Sequence, residues 1–404
     1  MPILRQSTQK VGGERGKGTM NQISVMESLV KGFSMYYLLL LPILYAAHVI
    51  GAEQLGYVGG ALYAGIIVGA LAVTSRLHAY PKMAILKVAL VPLSVATVFL
   101  FRPGNPWLLL SAYAFIGFAI GLSASSLNAI AAQFTTQGKR FAILAKISML
   151  TDVFKIAYPF IASAVYAIAG YVGLVWFALL TVLAFALAII FFSLTHPGVD
   201  EGTDAAAVGK SDAPIRRNKP FRFALFLEFL DSFASGQLFI FLPALLFLRG
   251  FTIENTLFFQ SAVFAGYLCG RWLVSLLALR FDGFKAVGIG EVGMIVTIIF
   301  LLVSSTPWIL VVLSFLLGLF SRGTSPVIKA LVFDRLEPHQ MRRGSALYIV
   351  GGEGGSAIGQ SVFGLLLAWF GVSAPFIVAA ICVGIIAVAC FWRRDGFSKN
   401  LVAA

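Results

Sequence analysis

Five carboxylates stand inside stretches that are otherwise apolar: Asp152, Glu228, Asp231, Glu291 and Glu353. Five bases share those stretches: Lys146, Lys155, Arg271, Arg322 and Lys329. A charge placed centrally in hydrocarbon costs about 2.5–3.5 kcal/mol. Ten isolated ones would cost roughly 25–35 kcal/mol, more than the roughly 5–15 kcal/mol by which a fold is typically stable. They must pair, become neutral, lie near an interface or line water, and their equal numbers favour pairing. A carboxylate in such a site can take up and release a proton as its surroundings change. An arginine stays charged, but it can hold an anionic group or steady a neighbouring carboxylate.

Spacing narrows these roles. Asp152 and Lys155 are three apart and share one helix face. Glu228, Asp231 and Ser235 fall at i, i+3 and i+7, a second polar face. Ser123, Ser125, Ser126 and Asn128 close another run, where they either hydrogen-bond a substrate or serve helix contacts. Tyr36 and Tyr37 either line a cavity or sit in the interfacial aromatic belt. Asp152, Glu228, Asp231 and Glu353 are the proton-coupling candidates. Lys155, Arg271, Arg322, Tyr36, Tyr37, Asn128 and Ser235 are the substrate or charge-pair candidates. Lys146, Lys329 and Glu291, nearer the inner surface, read as structural bridges.

The elements that carry these residues are membrane helices. Of 404 residues, 59% are hydrophobic and 12% charged, and the mean hydropathy is +0.92. A soluble domain is nearer 45–50% apolar and 25% charged. The apolar runs are long and do not alternate, which excludes barrel strands and requires helices. Breaks at charge, Gly and Pro give twelve runs: 32–50, 54–75, 83–101, 106–131, 141–168, 172–194, 222–247, 255–279, 285–304, 307–332, 342–369 and 373–392. The expected organisation is a basic cytosolic tail (1–31), a first six-helix half (32–194), a cytosolic linker (195–221), a second half (222–392) and a cytosolic tail (393–404). Met20 is an alternative start.

The halves are repeats. At an offset of 201, Pro42 meets Pro243, Glu53 meets Glu254, Gly69 meets Gly270 and Pro106-Trp107 meets Pro307-Trp308. Gly117 meets Gly318, Asp152 meets Glu353 and Gly170 meets Gly371. Proline and tryptophan are scarce, so their coincidence at one offset marks a duplicated bundle in parallel orientation. With both termini inside, the inner loops and tails hold 23 of the 30 Lys and Arg, and the outer loops hold only Arg102 and Arg249. The net charge of +13 therefore faces cytosol and anionic lipid, not nucleic acid. Four scattered His and three Cys have neither metal-ligand nor disulfide spacing. No Walker sequence, phosphate-cradling loop or nucleophile motif is present, so neither an enzyme nor a cofactor or metal is expected.

Twelve helices in two parallel six-helix halves with a cytosolic linker resemble the major facilitator superfamily. Its motif between helices two and three, Gly-x-Leu-Ala-Asp-Arg-x-Gly, is similar to Ser275-Leu276-Leu277-Ala278-Leu279-Arg280-Phe281-Asp282, with Leu279 in place of the Asp. The first-half copy runs from Thr74 to Lys82, with Arg76 present and His78 at the Asp position. The resemblance makes Arg76, His78, Arg280 and Asp282 the cytoplasmic gate. Pro159 lacks the flanking glycines of the drug-antiporter motif, and Gly351-Gly352-Glu353-Gly354-Gly355 reads as close packing. The resemblance further implies that helices one, four, seven and ten line a cavity, placing Asp231 and Arg322 there. Helices five and eight would meet between the halves, where Asp152 and Arg271 lie at equal depth. Arg322 and Glu353 also match in depth.

The function so implied is secondary transport of a small organic solute by alternating access, coupled to protons, with a lean to export as in drug or siderophore efflux. The alternatives are a proton-coupled importer of an anionic or zwitterionic nutrient or siderophore, and a lipid flippase. The expected setting is a monomer in the bacterial cytoplasmic membrane.

Overall fold

Backbone amides in hydrocarbon have no water to bond, so long apolar runs close their hydrogen bonds internally. The computed structural model follows this rule. It describes residues 3–75, 77, 80–133, 140–196, 218–280, 283–321, 323–333 and 341–392, and every element among them is an α-helix. The helices are α1 (Ile3–Ala46), α2 (Ala52–Ser75), α3 (Lys82–Phe99), α4 (Pro106–Gln133), α5 (Arg140–Thr195) and α6 (Lys219–Leu248). They continue with α7 (Ile253–Arg280), α8 (Gly283–Val303), α9 (Pro307–Ser321), α10 (Ser325–Phe333), α11 (Met341–Phe370) and α12 (Ser373–Trp392). Among the described residues, nine helices are long and apolar enough to cross a membrane.

These elements make the twelve expected spans. α5 supplies two of them, because Gly170 (φ +61°) breaks it, a backbone that only glycine adopts readily. Its second arm runs antiparallel to α3. Tyr171 donates to the Leu100 carbonyl at one end of α3, and Lys87 near the other end donates to Ser193. α9 and α10 together make the tenth span, interrupted around Gly323.

The beginning of the chain differs from expectation. The first span was expected at 32, yet Ile23, Met26, Glu27, Ser28 and Val30 are already buried in α1. Glu27 and Lys31 interrupt the apolar pattern, but the helix continues through them and Glu27 is covered by protein.

The repeat extends to individual contacts. A Cβ on Gly117 would meet the Leu62 carbonyl, and one on Gly318 would meet the Val263 carbonyl. All four positions obey the offset of 201. α4 thus lies on α2 as α9 lies on α7, backbone against backbone, which is how membrane helices gain packing without a hydrophobic driving force. The halves meet where α2 packs on α11, α5 on α7 and α1 on α6. α2 and α11 approach closely at Gly56, where a Cβ would lie 2.7 Å from the Gly364 Cα.

Arg249 ties the end of α6 to the end of α8. Its guanidinium donates to the Leu301, Leu302 and Ser304 carbonyls at 2.6–2.9 Å. These are carbonyls that the end of α8 leaves without helical partners. Arg249→Ala is expected to lower stability by about 1.5–3 kcal/mol, read as a lower melting temperature of the purified protein.

Candidate functional site

The deepest charges form two groups. The first lies between the halves. Asp152 on α5 pairs with Arg271 on α7, and its other oxygen takes Lys155 Nζ at 3.4 Å. The Asp152 side chain is 1% exposed, against 13% for Lys155 and 23% for Arg271. The depth match between Asp152 and Arg271 is therefore a direct contact, placed where α5 and α7 face each other. The same seam continues with Ser261, whose hydroxyl donates to the Ile156 carbonyl, and with the Phe160–Phe258 ring pair. Ser28 on α1 meets Thr151 at 3.3 Å, beside Asp152.

The second group belongs to the second half. On α6, Ser235 Oγ donates to Asp231 Oδ1 at 2.7 Å and to the Asp231 carbonyl at 2.8 Å. One turn closer to the basic end, Ser232 Oγ donates to Glu228 Oε1 at 3.5 Å. Both carboxylates are buried, and α11 covers Glu228 at Gly352. The i, i+3, i+7 pattern therefore makes one buried polar face. Glu291 was expected to be a bridge near the inner surface. Instead it is wholly buried, and neither carboxylate oxygen has a hydrogen-bond partner.

Other candidates are placed differently. Tyr36 and Tyr37 line no cavity and sit in no interfacial belt. They are fully buried in the first half. Tyr36 donates to the Leu174 carbonyl at 2.6 Å, and Tyr37 meets Thr97 at the same distance. The hydroxyls are satisfied inside the protein, so the rings pack as core, with Tyr36 against Tyr158 and Phe177. Ser123 and Ser126 on α4 are buried, while Asn128 is exposed. Glu353 is half-buried on α11 and Lys329 exposed on α10. Arg280 ends α7, exposed. Arg76, His78, Asp282 and Arg322 lie outside the described residues, as do the linker core 197–217 and the C-terminal tail; the Lys146 side chain also lies outside them.

Several buried polar residues escaped the sequence reading, Glu27 and Gln360 among them. Glu27 was assigned to the tail. Gln360 on α11 is fully buried against Gly59 of α2, with neither amide atom hydrogen-bonded. A search for charge passes over a neutral amide, although any glutamine in an apolar run carries the same signal. Among the described residues, no cluster of three or more His, Cys, Asp or Glu could hold a metal ion.

Comparison with known proteins agrees with this architecture. Residues 261–404 match the family model described as Major Facilitator Superfamily. No curated protein matches the chain in sequence. Among solved structures, a mutant of the nucleoside transporter NupG superposes with a TM-score of 0.74 at 12% identity, covering 92% of this chain and 99% of that one. A D-xylose-proton symporter gives 0.74 at 12% identity, covering 94% and 98%. A bacterial homolog of the human lysosomal transporter Spinster, inward-facing and unoccupied, gives 0.71 at 11% identity, covering 93% and 96%.

Proposed function

We propose that this chain, a multi-pass membrane protein with the major facilitator fold, is a secondary active transporter of a small organic solute. In this reading the halves rock about the seam that holds Asp152 and Arg271, opening a central site to each side in turn. The observation that carries the proposal is that ion pair itself. It is the described salt bridge that joins one half to the other at depth, so a rocking motion must strain or break it. Protons are the proposed coupling ion, because Asp152, Glu228, Asp231 and Glu353 supply carboxylates that can change charge as their surroundings open to water. Export remains the preferred direction, with the eroded loop motifs as its support. The proposed setting is a monomer in the bacterial cytoplasmic membrane, with both termini in the cytosol.

One observation favours import of an anionic or zwitterionic solute as a second reading. Two bases, Lys155 and Arg271, surround the single carboxylate of Asp152, and both are partly exposed. Such a cluster has a positive charge to offer a carboxylate or phosphate group.

Proteoliposomes loaded with a pH dye test the coupling. Adding a panel of nucleosides, sugars and small organic acids is expected to change internal pH with at least one of them. Asp231→Asn and Glu353→Gln are expected to reduce that response about tenfold or more. Unchanged coupled flux in both variants would refute the assignment of coupling to these carboxylates. The direction follows from cells lacking the gene, which accumulate the solute if the protein exports it and fail to take it up if it imports it.

A further inference from the structure

We infer that the amide of Gln360 opposes closure of the α2–α11 seam and thereby sets how readily that seam opens. The inference rests on the reading of the chain as a rocking transporter, and it names the residue that keeps one of the moving contacts reversible.

The seam joins the first half to the second, and its helices are extensively packed. They approach through glycines. A Cβ on Gly56 would lie 2.6 Å from the Gln360 carbonyl oxygen and 2.7 Å from the Gly364 Cα. One on Gly60 would lie 2.6 Å from Ser361 Oγ and 3.0 Å from the Ala357 carbonyl oxygen. Such approach brings two backbones into van der Waals contact, a principal attraction between helices in lipid. By itself it favours a seam that stays shut.

Gln360 pulls the other way. Its amide carbon and Oε1 both lie 3.1 Å from the place of a Gly59 Cβ, so the amide is inside the seam. The residue is 0% exposed, and neither Oε1 nor Nε2 has a hydrogen-bond partner among the described residues. A glutamine amide brings one acceptor and two donors. Gly59 opposite has no side chain to meet them, and the backbone groups of α2 and α11 are engaged within their own helices. An amide stripped of water without a new partner disfavours that state by about tenfold to a hundredfold. Parting α2 from α11 lets water reach it. Packing attraction and an unpaired amide therefore oppose each other within one turn of helix.

Two other buried glutamines show what is particular about this one. Gln237 donates to the Ser232 carbonyl, and Gln260 to the Phe239 carbonyl. Both of those bonds lie within the second half, on α6 and α7, and rocking of the halves leaves them intact. Gln360 has no such bond and stands where the halves part. Alternation needs both arrangements populated, and a seam held by glycine packing alone is biased to one. Because an amide does not titrate, this bias is set by the residue and not by pH, unlike that of the buried carboxylates.

The test reads the seam directly and needs no solute. Ser361→Cys places a thiol facing Gly60. Its reaction rate with a charged maleimide is measured on the full-length protein in lipid nanodiscs. The signal of Cys269, Cys382 and Cys390 is taken from the protein without the added thiol. In this background Gln360→Leu is expected to slow labelling about tenfold, because a side chain of similar size keeps the packing and removes the unpaired amide. Gln360→Glu is expected to speed it, since a carboxylate demands water more strongly. Unchanged or faster labelling in Gln360→Leu overturns the inference, and so does slower labelling in Gln360→Glu. Should the leucine variant not fold, Gln360→Met is read in the same way: slower labelling supports the inference, and unchanged or faster labelling overturns it. Solute transport by a protein whose labelling is indifferent to residue 360 overturns this inference alone. Labelling that follows residue 360 in a protein that moves no solute supports this inference and counts against the transporter reading alone.

Discussion

Asp152→Asn is expected to reduce solute transport about a hundredfold or more while leaving the protein in the membrane. The substitution removes the charge that Arg271 and Lys155 share and keeps the side-chain volume. Breaking a buried pair from one side costs about 3–5 kcal/mol when the remaining charge is fully enclosed. Arg271 is 23% exposed, so water offsets part of that cost and the protein should still fold. Transport suffers more, because in the proposed rocking motion the two bases on the seam no longer have the Asp152 carboxylate to exchange. The double variant Asp152→Asn/Arg271→Gln separates the two effects. It removes the guanidinium that has lost the Asp152 carboxylate, so melting temperature is expected to recover towards wild type. Transport is not. Recovery of both would show that the pair serves stability alone.

Gly56→Leu is expected to reduce transport at least tenfold by a different route. A Cβ at Gly56 would lie 2.6 Å from the Gln360 carbonyl oxygen and 2.7 Å from the Gly364 Cα. Both obstacles are backbone, so no side chain can swing aside, and α2 and α11 must separate. The contact observed here could then no longer form. Gly354→Leu is the control: it lies on the same helix as Gly364, and nothing approaches within 4 Å of its added Cβ. Transport assays on both variants, with melting temperatures alongside, distinguish a blocked contact from general damage. Equal losses in the two would contradict the role given to the α2–α11 approach.

Much of the architecture was legible because its signals are rare residue types. Pro106-Trp107 and Pro307-Trp308 set the offset, and the glycine contacts of α2–α4 and α7–α9 repeat at the same spacing. The Asp152–Arg271 pair was legible because depth along a helix is a matter of counting, at about 1.5 Å per residue, and because the family resemblance placed their two helices side by side between the halves. Depth alone misjudged Glu291. It lies eight residues into α8, roughly 12 Å from its start, and the helix packed most extensively on α8 is α12, distant in sequence. The tyrosines failed for a related reason. Belt, cavity and core all accept a tyrosine, and the choice is made by which backbone carbonyl lies within reach of the hydroxyl, here Leu174 for Tyr36. Glu27 failed because one carboxylate broke a hydropathy pattern that the helix itself ignores.

The close backbone approaches at Gly117 and Gly318 leave little room for α4 to slide on α2, or α9 on α7, and on packing grounds each half should be stiff. Stiffness turns each half into a lever. In a bilayer core of about 30 Å, a tilt of roughly 20° about the midplane swings a helix end through about 5 Å. A soft bundle would absorb such a rotation by sliding its helices past one another, but a bundle locked at its own carbonyls cannot. In the proposed mechanism, a small change in force at the Asp152–Arg271 seam would thereby be amplified into an opening at the membrane surface.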